Sequence, residues 1–141
     1  MNTYVELKER HQKMVDDFPM AFAFNQKQLD EAIEKLGVES VDDLFQLETG
    51  GLIAKDSVDD YYDMTNTIHN EFEQAMDNDK TGLGFIYDMF YYELCNHEYN
   101  ISNDLEYTID ALGLDLEKIN SDERFNKGIN KAIEDCLRDM Q

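Results

Sequence analysis

The sequence predicts a mainly α-helical fold: a single compact domain of six or seven helices, with one small two-stranded β-ribbon. Three observations carry this. Apolar residues recur at three- and four-residue spacing through most of the chain. Ser, Thr or Asn precedes the periodic runs and Gly follows several of them, which are helix start and stop signals. A hydrophobic content of 42% with 11% aromatics is enough to build a core despite a net charge of −20. At 141 residues the chain fits one domain spanning 1–141. A chain of this size buries roughly two-thirds of its unfolded surface and needs no covalent or metal staples.

Thr3 with Glu6 forms a capping-box pattern for the first helix, whose face is Tyr4, Leu7, His11, Met14 and Phe18. Pro19, the only proline, ends it. Met20 to Phe24 reads as extended. Asn25 with Gln28 caps a second helix with the stripe Leu29, Ala32, Ile33 and Leu36, and Gly37-Val38 is a Schellman-type stop. Ser40 caps a short helix through about Leu47. Gly50-Gly51 makes a turn, and Leu52 to Ala54 is a short strand expected to pair with Ala21 to Phe24. Ser57 caps a long helix, about Val58 to Met76, with Val58, Tyr61, Tyr62, Thr65, Ile68 and Phe72 on its apolar face. Phe85 to His97 is apolar around most of its circumference and is the expected central core helix. Ser102 or Asn103 caps a further helix ended by Gly113-Leu114. A turn follows around Leu116 to Ile119, and Ser121 caps a last helix with Phe125, Ile129, Ile133, Cys136 and Leu137.

The charge is segregated. Residues 29–120 hold 23 Asp and Glu against Lys35, Lys55, Lys80 and Lys118, whereas residues 1–28 and 121–141 are nearly neutral. This balance excludes DNA, RNA and anionic membranes as direct ligands, because each phosphate contact would be repulsive. It points instead to a basic partner. The apolar runs are far shorter than the roughly 20 residues of a membrane span, and the N-terminus lacks the basic and apolar regions of a signal peptide, so a cytoplasmic location is expected. Cys95 and Cys136 each lie in an amphipathic helical pattern and read as two buried reduced thiols; nothing in the sequence supports a disulfide.

Catalytic and metal signals are weak. No nucleophile elbow, P-loop, dinucleotide fingerprint or CxxC pair is present, so no enzyme activity and no cofactor are expected. The histidines, His11, His69 and His97, do not follow the Glu-x-x-His spacing of di-iron carboxylate helices. The run Asp77-Asn78-Asp79-Lys80-Thr81-Gly82 with Asp88 at position twelve matches part of a calcium-binding EF-hand loop. Gly84 at position eight, Asp in place of the bidentate Glu, and Lys80 inside the loop depart from that pattern. An ordinary acidic turn is the simpler reading, with calcium binding as an alternative.

The acidic surface is the stronger candidate. Asp56, Asp60 and Asp63 fall at i, i+4 and i+7 with Asp59 beside them, and Glu71, Asp104 and Glu106 are further candidate partner-binding acids. Carboxylates four apart on a helix are separated by about 6 Å of rise. That is comparable in scale with backbone phosphates, at about 3.4 Å per charge along one strand.

Several stretches carry a resemblance: Tyr4 to Lys13 running into Phe18 to Phe24, Gly50 to Lys55, Asp79 to Phe90, Tyr92 to Tyr99, Leu105, and Asp110 to Gly113. Together they resemble a family of small acidic uncharacterised proteins from Gram-positive gut bacteria and their phages, over most of the chain. That family brings no catalytic motif. What the resemblance implies, by analogy of size, charge and source, is an anti-CRISPR protein that inhibits Cas9 as a DNA mimic. The alternative is a non-catalytic structural or regulatory interaction module of a mobile element.

Overall fold

The computed structural model describes residues 1–96, 109 and 112–139. Among these, the chain forms six α-helices, two short 3-10 turns and one two-stranded antiparallel sheet, as the sequence predicts in class. It divides into two units, residues 1–10 with 71–141, and residues 11–70.

The first unit contains the start of α1 (Thr3–Asp17), the end of α3 (Val58–Asn78), α4 (Phe85–Asn96), α5 (Leu116–Ser121) and α6 (Glu123–Asp139). α4 is its central helix, as expected: Ile86, Met89, Phe90 and Leu94 are completely buried. It packs against α6, where Phe90 and Phe125 meet edge to face at 6.1 Å. Gly128 sits at this crossing, where a side chain would meet the Gly82 carbonyl and the Ile86 side chain. Tyr4 adds a second aromatic group, edge-on to Phe72 at 5.7 Å and to Phe85 at 5.9 Å.

Two helix starts differ by one residue from the expectation. Asn2, not Thr3, caps α1, its Oδ1 accepting the Val5 N–H at 3.0 Å. Asp122, not Ser121, caps α6, accepting the Arg124 N–H at 2.9 Å; Ser121 is the last residue of α5. The turn expected at Leu116 to Ile119 is helix α5 itself, capped by Asp115 through the Lys118 N–H at 2.7 Å. The Gly113 stop is present: Gly113 has φ +66° and the Leu114 N–H reaches the Ile109 carbonyl at 3.2 Å. The cap expected at Ser102 or Asn103, together with His97, lies outside the described residues.

The second unit contains α2 (Gln26–Leu36), with the Asn25 cap in place. Asn25 Oδ1 accepts the Gln28 N–H at 2.8 Å, while Gln28 Oε1 accepts the Phe24 N–H at 2.7 Å. Gly37, at φ +69°, and the Val38 N–H on the Ile33 carbonyl complete the Schellman stop. The expected helix from Ser40 to Leu47 is corrected. Ser40 caps only the 3-10 turn Val41–Asp43, and the chain then extends as β1 (Leu44–Gln46). β1 pairs with β2 (Leu52–Ala54) in the register Leu44 with Ala54, Phe45 with Ile53 and Gln46 with Leu52. The predicted partner of β2 pairs with it through an isolated bridge, Ala21 with Leu52. Ile53 is fully buried, and Leu44 and Leu47 are nearly so. The cap expected at Ser57 is also corrected, since Ser57 ends a second 3-10 turn, Lys55–Ser57, that runs straight into α3. No described helix is long and apolar enough to cross a membrane.

Candidate functional site

In the first unit four acids, Asp79, Asp88, Glu93 and Asp135, are built into the fold. The turn after α3 wraps around Asp79. Its Oδ1 accepts the N–H groups of Thr81 at 3.2 Å and Gly82 at 2.9 Å, and its Oδ2 accepts those of Gly84 at 3.1 Å and Ile86 at 3.0 Å. These donors include the Ile86 N–H in the first turn of α4, one of the opening N–H groups that have no partner inside the helix. Burial opposes the charge on Asp79, but the four N–H bonds outweigh it and hold the carboxyl below its usual pKa range. Asp88 accepts both the backbone N–H and the hydroxyl of Thr3, at 2.9 and 2.6 Å, and so helps cap α1. Glu93 is buried and accepts the Tyr4 hydroxyl at 2.6 Å and the Lys8 ammonium at 3.3 Å. Burial, then the bond to Glu93, drives the Tyr4 hydroxyl well above its ordinary pKa. Asp135 accepts the Tyr87 hydroxyl at 2.7 Å and Lys131 at 3.0 Å.

This network reassigns the EF-hand-like run. Three of its would-be ligands, Asp79, Thr81 and Asp88, point their oxygens at N–H and O–H partners. Thr81 Oγ1 also accepts the Leu83 N–H at 3.1 Å. Among the described residues no three His, Cys, Asp or Glu side chains gather into a metal-holding cluster. The run is accounted for as a double helix cap.

The candidate acids behave differently. Asp56 lies in the 3-10 turn Lys55–Ser57, and Asp59, Asp60 and Asp63 lie on the first two turns of α3. All four are exposed, and none is held by a hydrogen bond or ion pair to a described residue. Asp56 lines a surface cavity of about 300 Å³ with Glu39, Asp43 and Lys55. Because Asp56 precedes the helix proper, the predicted stripe is continuous only from Asp59 onward. Tyr62, expected on the apolar face, is instead 48% exposed. Its ring meets Tyr61 edge to face at 5.5 Å, and Tyr61 meets Phe18 in the same way at 5.5 Å. The acids therefore border an aromatic row whose outer member is open to solvent. The twofold preference of Tyr for core and surface hides this in the sequence.

The remaining candidates do not join this group. Glu71 belongs to the first unit and is ion-paired with Arg10 at 2.9 Å, its side chain only 30% exposed. Asp104 and Glu106 lie outside the described residues. His11 is buried and His69 exposed.

Comparison with curated proteins and with solved structures finds no match. Residues 3–135 match DUF7659, a family of unknown function, and over nearly its whole length the chain is a member of that family.

Proposed function

We propose that this protein is a non-catalytic inhibitor that occupies the basic cleft of a nucleic-acid-handling enzyme, with Cas9 as the concrete candidate. The supporting observation is the group Asp56, Asp59, Asp60 and Asp63, four exposed carboxylates at a helix start, none of them ion-paired to a described residue. Lys and Arg side chains that grip phosphate find there carboxylate oxygens, three of them carried at helical spacing on α3. Tyr62 beside them offers a ring face to a guanidinium or ammonium. Such an interface associates quickly and weakens as salt is added. DNA cleavage by guide-loaded Cas9 orthologues, assayed with excess protein, tests the target, and inhibition of at least one is expected. Absence of inhibition in all of them removes Cas9. Reversing the four aspartates to lysine is expected to abolish inhibition in a correctly folded variant; retained inhibition removes the acidic surface as the cause.

A structural or regulatory module of a mobile element is the second reading. It is favoured by Asp59 and Asp60 lying in the first turn of α3, where acids also serve the helix dipole. Capture from host lysate separates the two, because the inhibitor reading requires one nucleic-acid enzyme that elutes with salt.

A further inference from the structure

Cys95 and Cys136 stand on two helices that are fixed against each other at several points. Tyr87 on α4 donates to Asp135 on α6 at 2.7 Å, and Tyr91 donates to Asp139 at 2.8 Å. Within this frame the two Sγ atoms approach to 2.8 Å, and both thiols are free. Their environments differ. Cys136 is completely buried, and Cys95 is partly open.

We propose that Cys95 and Cys136 are an oxidisable dithiol, a modification site at which a low-molecular-weight disulfide such as glutathione disulfide covalently joins α4 to α6. This goes beyond the acidic-surface reading and does not depend on it. The Cys95 thiolate attacks one sulfur of the small disulfide, forming a mixed disulfide and releasing one small thiolate. Cys136 then attacks the Cys95 sulfur, and its proton passes to the second departing thiolate. The two cysteines lose two electrons and two hydrogens, and one small disulfide becomes two small thiols. The order follows from access: the oxidant reaches the partly open Cys95, while Cys136 is buried with its sulfur against that of Cys95. Burial, with the contact to Cys95 and the nearby Asp139, pushes the Cys136 thiol up to about 12. That keeps it protonated until its partner is activated. The bridge spans 41 positions of sequence, so it restricts the unfolded chain and raises thermal stability.

The test treats the folded protein with glutathione disulfide and follows thiol titration, intact mass, peptide mapping and Tm. The expected result is loss of both thiols and two hydrogens, a mapped Cys95–Cys136 bridge in the monomer, and a Tm higher by several degrees that reverts on reduction. Cys136→Ser is expected to stop at one glutathione adduct on Cys95. Cys95→Ser is expected to resist modification while folded and to react in urea. Thiols that persist under conditions that modify the urea-unfolded chain overturn the proposal. So do separate adducts on both cysteines, or bridges formed only between molecules. If Cys136→Ser does not fold, the wild-type mass and map decide alone.

Discussion

Asp79 and Asp56 both stand just ahead of a helix, and the two units use them in opposite ways. Before α4 the chain curls back so that four N–H groups converge on Asp79. Gly82, at φ +85°, supplies a backbone conformation that side-chain-bearing residues rarely adopt. Before α3 the chain runs in through a 3-10 turn whose preceding residue, Ala54, has no side-chain cap to offer, and Asp56 with its neighbours faces solvent. The same residue type is a structural member in one place and an available charge in the other. The local path of the backbone decides which, through the number of N–H groups it aims at the carboxylate.

That contrast is tested first where the largest effect lies. Glu93→Ala removes the buried acceptor of Tyr4 and Lys8 and is expected to cost about 3 kcal/mol in urea unfolding, with Glu93→Gln costing less. Asp79→Ala leaves the first turn of α4 uncapped and is expected to cost about 2 kcal/mol by the same measurement. Asp79→Asn, which keeps one acceptor oxygen, falls between that variant and wild type.

pH separates the groups next. Asp79 and Asp122 are held below their ordinary range when folded, Asp122 chiefly by its bond to Arg124. Their stabilisation is therefore complete above the unfolded carboxyl pKa of about 3.9, and it is lost as pH falls through the lower folded values. Acid unfolding followed by circular dichroism is expected to lose that dependence in part in Asp79→Asn.

The smallest effect is expected from replacing Asp56, Asp59, Asp60 and Asp63 together by Asn. Neighbouring like charges at i, i+4 are relieved while only dipole contacts are given up, so stability is expected to change by less than about 1 kcal/mol in either direction. A loss of several kcal/mol would show that these acids, too, are built into the fold.

What the sequence made legible was local. The Asn25–Gln28 start, the Gly37 and Gly113 stops and the apolar girth of α4 depend on residues within one or two turns. The strand Leu44–Gln46 was hidden because three residues show no period and their partner, Leu52–Ala54, lies across a turn. The starts of α1 and α6 lie one residue from the cap that the pattern suggests, because Asn2-Thr3 and Ser121-Asp122 each offer two cap-competent neighbours. At the candidate site, the four aspartates are exposed, as an acidic surface requires. Glu71 is tied to Arg10, which lies 61 positions away, and that pairing leaves no mark in the sequence. Asp79 resembled a cation ligand for a related reason, since backbone N–H groups satisfy it and every residue carries them.

The glycine in the middle of α6 turns an ordinary engineering rule around. Replacing an interior helical glycine by alanine usually stabilises a protein by up to about 1 kcal/mol. At Gly128 the added methyl would have to share space with the Gly82 carbonyl, which is part of the turn that Asp79 organises. In a library of variants this position should stand out as one where even alanine, the best helix former and the smallest addition, is destabilising. The defect would be felt at the entrance to α4, not in α6 itself.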